Sequence, residues 1–185
     1  TGIYSGATSA TLTITGAPLT HNGYLYRARV SGTCNVPVNS NVASLTVQQS
    51  PVINTHPAAQ VVCENGTISL SVSAAGTGLT YEWFQDGSSL AAPSASSTLT
   101  INNATASNAG SYTVVVYGTC NTTGVTSNAA VVTVNELPEI VSHPSNQTIC
   151  EGGNTTFTVD AGVTSGATYQ WQVSTNGGST YTNLT

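Results

Sequence analysis

The side chains able to do chemistry are few and dispersed. Four cysteines occur in two matched settings: Cys34 and Cys120 each close a GTC triplet, whereas Cys63 and Cys150 each open a CENG or CEGG turn. A thiol can attack a substrate, ligate a metal or pair as a disulfide, and the first two roles need a neighbouring base or a ligand cluster. The sequence offers neither. No cysteine sits beside a candidate base, and His21, His56 and His143 lack H-x-x-H or H-E-x-x-H spacing. His56 and His143 recur in HP dipeptides, which read as structural. The seven carboxylates, Glu64, Glu82, Asp86, Glu136, Glu139, Glu151 and Asp160, are scattered singly, with no pair set for acid–base work and no D-x-D-x-D-G-like calcium loop. Glu64 and Glu151 repeat at one turn, whereas Glu136 and Glu139 flank a linker, where an interdomain cation is the one metal option. G-x-S-x-G and a glycine-rich phosphate loop are both missing. No catalytic residue, cofactor or metal is expected, and the chemistry left to the chain is disulfide formation.

The elements that hold these residues must be strands. Charged residues are 5% of the 185 residues, against about 25% in ordinary soluble domains. Thr, Ser, Asn, Gly and Val dominate, and stiff Val and Thr side chains suit a pleated, half-buried surface. An all-β chain is expected. The net charge of -5 leaves two cations, Arg27 and Arg29, so no basic stripe can neutralise phosphates and nucleic acid is excluded as a partner. No apolar run reaches the eighteen or so residues that span a bilayer, and no signal peptide opens the chain. With no Met, the chain is expected to come from inside a longer polypeptide whose export signal lies elsewhere.

Self-comparison finds one unit repeated. SATLTI at 9–14 matches SSTLTI at 96–101, and SNVASLTV at 40–47 matches SNAAVVTV at 127–134. PVINTHPAAQVVCENGTISLSV at 51–72 parallels PEIVSHPSNQTICEGGNTTFTV at 138–159, and LTYEWFQ at 79–85 parallels ATYQWQV at 167–173. The expected order is therefore a second half at 1–50, a complete domain at 51–137 and a first half at 138–185. Residues 138–185 followed by a segment equivalent to 1–50 would make one more whole domain, so the chain reads as one period of a longer array.

Within 51–137, TISLSVS, LTYEWFQ, STLTIN, SYTVVVY and AAVVTVN alternate apolar and polar residues at the spacing of a β-sandwich. ENGTISLSVSAAG resembles the second strand of an immunoglobulin domain and NAGSYTVVV its sixth. The resemblance implies a tandem array of immunoglobulin-like sandwiches. Trp83 takes the place of the third-strand core tryptophan and Tyr112 that of the tyrosine corner, with Trp171 and Tyr26 as their counterparts in the split domain. At the positions of the usual inter-sheet cysteines stand Val72 with Val114, and Val159 with Ala28. All these residues are expected in cores, which leaves neither tryptophan free as a sugar-stacking platform.

With that strand order, four cysteines allow three pairings. Cys63 and Cys120 lie at opposite ends of one sandwich, roughly 35 Å apart by strand rise, far beyond a disulfide's reach of about 7 Å. Head-to-tail stacking instead brings Cys63 to Cys34 of the next unit and Cys120 to Cys150 of the preceding one. Free buried cysteines are the alternative.

The VCENG and ICEGG turns, SGTC, ATLTI and YQWQVSTNGGSTYTNL together resemble repeats of large secreted Bacteroidetes cell-surface proteins and adhesins. That resemblance implies a secreted, surface-exposed spacer, and names no ligand. The expected function is a non-catalytic structural or adhesive stalk whose partners are neighbouring copies or flanking repeats. A glycan- or host-surface-binding module and an accessory module of a secreted hydrolase are the alternatives. STNGGSTYT is an insertion with a hairpin signal, expected at a sheet edge with Tyr181 and Tyr4 near it as the surface open to a partner. Sequons such as Asn65 and Asn103 are expected by chance in so Asn- and Thr-rich a chain.

Overall fold

The computed structural model describes residues 2–34 and 36–185. Six two-residue strands come first: β1 (Tyr4–Ser5), β2 (Thr13–Ile14), β3 (Leu25–Tyr26), β4 (Arg29–Val30), β5 (Val38–Asn39) and β6 (Ala43–Ser44). The middle of the chain carries β7 (Val52–Thr55), β8 (Gln60–Cys63), β9 (Ile68–Ser71), β10 (Ser73–Ala75), β11 (Thr80–Gln85) and β12 (Ser88–Ser89). It continues with β13 (Thr98–Ile101), β14 (Gly110–Gly118), β15 (Asn121–Thr126) and β16 (Ala130–Asn135). β17 (Gln172–Val173) and β18 (Thr182–Asn183) close the list. Among the described residues there is no α-helix; the helical content is two 3-10 turns, Leu19–His21 and Ala106–Asn108.

The middle segment forms a sheet ordered β12-β11-β14-β16-β8, with β15 added on β14, while β13 pairs β9 and β10 pairs β7. Alternation explains the core. Along β14, Tyr112, Val114, Val116 and Gly118 point inward while their neighbours are half-buried. Tyr81 and Trp83 do the same on β11, and Ile68 and Leu70 on β9. Burying an aliphatic side chain such as Val114, Val116, Ile68 or Leu70 stabilises the domain by about 1.5–3 kcal/mol. The β11–β14 register sets Trp83 opposite Val114 and Tyr81 opposite Val116, so the third and sixth strands share one apolar face.

The chain divides into two compact units. One comprises Thr1–Ala58, Leu70–Leu99 and Tyr112–Ala130; the other comprises Ala59–Ser69, Thr100–Ser111 and Val131–Thr185. In the first, the incoming segment is tied down where Gln49 N–H donates to Thr77 Oγ1 at 3.0 Å and Thr119 N–H donates to the Thr77 carbonyl at 3.1 Å. In the second, β8 runs parallel to β16 with Cys63 opposite Asn135, and Glu64 N–H donates to the Asn135 carbonyl at 2.8 Å.

The flanking segments repeat the bonding of the middle one. Ser127 N–H donates to the Val114 carbonyl at 2.9 Å while Val114 N–H donates to Ser127 Oγ at 3.1 Å. Ser40 and Ala28 exchange the same two bonds, at 2.8 and 2.9 Å. The β4–β5 register, Arg29 with Asn39 and Val30 with Val38, copies that of β14–β15, Val115 with Thr126 and Val116 with Val125. Toward the other end, Leu184 N–H donates to the Trp171 carbonyl at 2.9 Å as Leu90 N–H does to Trp83 at 2.9 Å. Gly153 closes the Cys150 turn as Gly66 closes that of Cys63, at 3.0 and 2.9 Å.

Candidate functional site

All four cysteines, Cys34, Cys63, Cys120 and Cys150, are free and exposed. Their positions follow from the strands that carry them. Cys120 occupies the tight turn between β14 and β15, and its Sγ lies 3.7 Å from Gln48 Oε1, on the segment that enters the 51–137 domain. Cys63 ends β8 beside Asn135, where the chain leaves that domain. Each thiol therefore stands beside a linker, and neither is enclosed by its own domain. None of the four is buried.

The residues expected in the core divide by segment. Tyr112 and Val114 are fully buried, and Val72 and Trp83 are 5% and 6% exposed. Trp171, expected in the core of the split domain, is instead 40% exposed, Tyr26 and Val159 are half-buried, and Ala28 is exposed. The reason is topological: β11 packs Trp83 by pairing with β14, whereas β17 pairs with β18 and the rest of the Trp171 face is left open. Phe157, stacked obliquely with its centroid 6.3 Å from that of Trp171, covers part of it.

Polar chemistry is dispersed here too. Glu64, Glu136 and Glu139 line one cleft of about 430 Å³. Among the described residues no group of three His, Cys, Asp or Glu side chains is placed to hold a metal ion. His56 is structural, its Nδ1 accepting from Asn128 N–H at 3.0 Å. Tyr4 and Tyr181, expected at a partner surface, are 42% and 59% exposed. Tyr181 follows a hairpin in which Gly178 N–H donates to Ser174 Oγ and Thr180 N–H to Asn176 Oδ1. The Tyr4 hydroxyl lies 3.1 Å from that of Tyr26, and this bond, with burial second, pushes Tyr26 up to about 12. The Tyr4 ring also stacks on His21, which stacks in turn on Tyr24.

Among the ionisable groups on the sheet, the Glu82 carboxyl is tuned by its neighbours. Glu82 accepts from the Tyr117 hydroxyl and from Ser89 Oγ, both at 2.7 Å, and these bonds hold its carboxyl below the ordinary range. A depressed carboxylate contributes stability above its unfolded pKa and loses it as pH falls through the folded one. Acidification from neutral to below the ordinary glutamate range is therefore expected to lower the urea midpoint. Tyr117→Phe should shrink that drop, and an equal drop in both proteins would show that the bond is not formed in solution.

The strand order and the apolar face shared by Trp83 and Val114 are those of an immunoglobulin sandwich. Residues 50–117 match the family model for an immunoglobulin domain. None of the curated proteins matches the chain. Among solved structures, an I-band fragment of titin superposes with a TM-score of 0.61 at 17% identity, over 78% of this chain and 53% of that one. An E-to-A variant of the three-domain titin fragment gives 0.61 at 18%, over 78% and 53%. Drosophila OTK extracellular domains 3-5 give 0.49 at 18%, over 71% and 46%. The chain thus spans about half the length of these structures. At such identities the likeness concerns fold alone: this is an all-β chain of tandem immunoglobulin-like sandwich elements.

Proposed function

We propose that this chain is a non-catalytic, extracellular structural repeat, a stretch of stiff stalk or filament in a large secreted surface protein. The observation that carries the reading is recurrence. The same backbone bonds and registers return along one polypeptide, while ionisable side chains stay scattered and Cys63 and Cys120 stand beside linkers. A neutral polar surface, with 5% charged residues, suits a spacer exposed to water on all sides. The resemblance to Bacteroidetes surface proteins supports a secreted, cell-surface location. Electron microscopy of the native surface protein is expected to show unbranched rods of uniform beads. Compact particles with hydrolytic activity would sink the reading in favour of an enzyme's accessory module.

The thiols are proposed as junction staples, Cys63 to Cys34 of the following unit and Cys120 to Cys150 of the preceding one. Each bond forms as two thiols give up two protons and two electrons to an oxidised dithiol, the disulfide-bearing oxidant of an export pathway, through thiol–disulfide exchange. Non-reducing peptide mapping of the secreted protein is expected to return Cys34–Cys63 and Cys120–Cys150 peptides. A Cys63–Cys120 peptide would refute the pairing. With staples at every junction, reduction should soften the array in force spectroscopy without unfolding its domains.

A second reading has one observation in its favour. The exposed Tyr4 and Tyr24 rings stack on the half-buried His21, an aromatic cluster of the kind that could receive a sugar face. Saturable quenching of tyrosine fluorescence by surface oligosaccharides, lost in Tyr24→Ala, would move the function from spacer to glycan-binding module.

A further inference from the structure

We propose that Tyr4, His21 and Tyr26 form a binding site for ferric iron, with two phenolate oxygens and one imidazole nitrogen as its ligands. The three side chains come from separate elements, each pinned by its own backbone bonds. Tyr4 on β1 pairs with Ile14, Tyr26 on β3 pairs with Ala43, and His21 closes the first 3-10 turn, its N–H donating to the Pro18 carbonyl at 2.9 Å. The Tyr4 hydroxyl lies 3.1 Å from the Tyr26 hydroxyl and 3.4 Å from His21 Nδ1. Both contacts are long for hydroxyl hydrogen bonds, which settle near 2.7–2.8 Å, roughly as Tyr117 does on Glu82 at 2.7 Å. They suit a metal instead. An ion about 2.0–2.1 Å from each ligand sets neighbouring donors roughly 2.8–3.4 Å apart in octahedral or tetrahedral geometry.

The donor set selects the ion. It holds no thiolate for soft ions such as Cu(I), and too few oxygens for the six to eight or so that calcium takes. Imidazole suits iron, and tyrosine is an established ligand of ferric centres. The Tyr26 phenol, held protonated up to about 12 chiefly by its bond to Tyr4, yields its proton only to a strong Lewis acid, which favours a trivalent ion over a divalent one. On binding, each phenol releases one proton to water as its oxygen gives a lone pair to the iron, while the neutral imidazole binds through Nδ1. The iron stays ferric, so no electron is transferred. Its remaining positions go to water or to the chelator that delivers it. Tyr4 is exposed, whereas His21 and Tyr26 are half-buried, so the donors are both reachable and held. Tyr24 backs the site, its ring stacked on His21 with centroids 4.5 Å apart.

The test titrates ferric nitrilotriacetate into the full chain at neutral pH. The exposed thiols are first capped with iodoacetamide, so that they neither bind nor reduce the iron. A visible phenolate-to-iron charge-transfer band is expected, saturating at equimolar iron. Tyr4→Phe and Tyr26→Phe should each weaken binding by more than the roughly 10–100-fold that loss of an outer-shell partner costs, and abolish or shift the band. His21→Phe keeps the ring stack but removes the nitrogen, and should weaken binding about 10-fold with the band retained. Tyr24→Phe should bind as the parent does, with circular dichroism showing all four variants folded. A parent chain that gives no band would overturn the proposal. So would full binding in Tyr4→Phe or Tyr26→Phe, which would place the iron elsewhere, or in His21→Phe, which would leave no three-ligand site. Equal loss in Tyr24→Phe would overturn it too, by tracing the effect to the aromatic stack. These readouts do not depend on the spacer reading, and an oligosaccharide on the same rings gives no visible band.

Discussion

Replacing Trp83 with alanine is expected to remove about 3–5 kcal/mol from the stability of the 51–137 domain, a large part of the 5–15 kcal/mol that such domains hold in total. Trp83 is 6% exposed and stands opposite Val114, itself fully buried. Where an immunoglobulin domain of the usual kind sets its tryptophan against a disulfide, this one has Val72 and Val114, so the indole has packing alone to hold the sheets together. A further feature separates the ring's volume from its polarity. Trp83 Nε1 is buried with no hydrogen-bond partner, so its removal breaks no bond and relieves an unsatisfied donor, a relief worth about 1–3 kcal/mol. Trp83→Phe should therefore cost clearly less than Trp83→Ala, with the smaller cavity offset by the lost donor. Urea unfolding followed by far-ultraviolet circular dichroism reads both. An alanine variant within about 1 kcal/mol of the parent would mean that the two sheets do not depend on this ring.

The repeat made most of this readable in advance, because a pattern that occurs twice identifies positions that matter to packing. Tyr112, Val114 and Trp83 stand out by alternation and by their spacing from turns, and the structure buries all three. β15 was not read from the sequence, and its composition explains why. NTTGVT lacks alternation, and the strand is instead seeded by Asn121, whose Oδ1 accepts from the N–H groups of Thr123 and Gly124 at 3.1 Å each. Gly124 is at φ 77, where a side chain would be strained and its Cβ would run into Val115 and Tyr117. A lone glycine among polar residues carries no such information until its partner strand is known. Trp171 is exposed for the opposite reason: its local pattern is that of a core residue, but burial is a property of strand pairing, and β17 has one partner where β11 has two. A sequence reading assigns a residue to a face; whether the face is covered depends on chain that is far away or on another copy.

The cysteine positions give the second large effect. A Val72→Cys/Val114→Cys variant is expected to form an inter-sheet disulfide and gain about 2–4 kcal/mol in its oxidised over its reduced form, since a closed loop of this length constrains the unfolded chain strongly. Both sites are buried, 5% and 0% exposed, and both valines are small enough for a thiol to replace without a large cavity. Urea midpoints with and without reductant measure the gain. If the two thiols stay free in the folded protein, or oxidation lowers the midpoint, then Val72 and Val114 do not face each other across the sheets as the immunoglobulin pattern requires. The gain also bears on why the natural chain lacks this bond. A disulfide inside each sandwich resists unfolding of one domain but leaves the hinge between domains free to bend. A bond at each linker leaves the domain to its apolar core and restrains the hinge. Trp83, Val72 and Val114 supply the first kind of stability without sulfur, and on the proposed pairing the four exposed thiols would supply the second. Were the chain the stalk proposed above, stiffness between domains would matter to it more than the stability of any one of them.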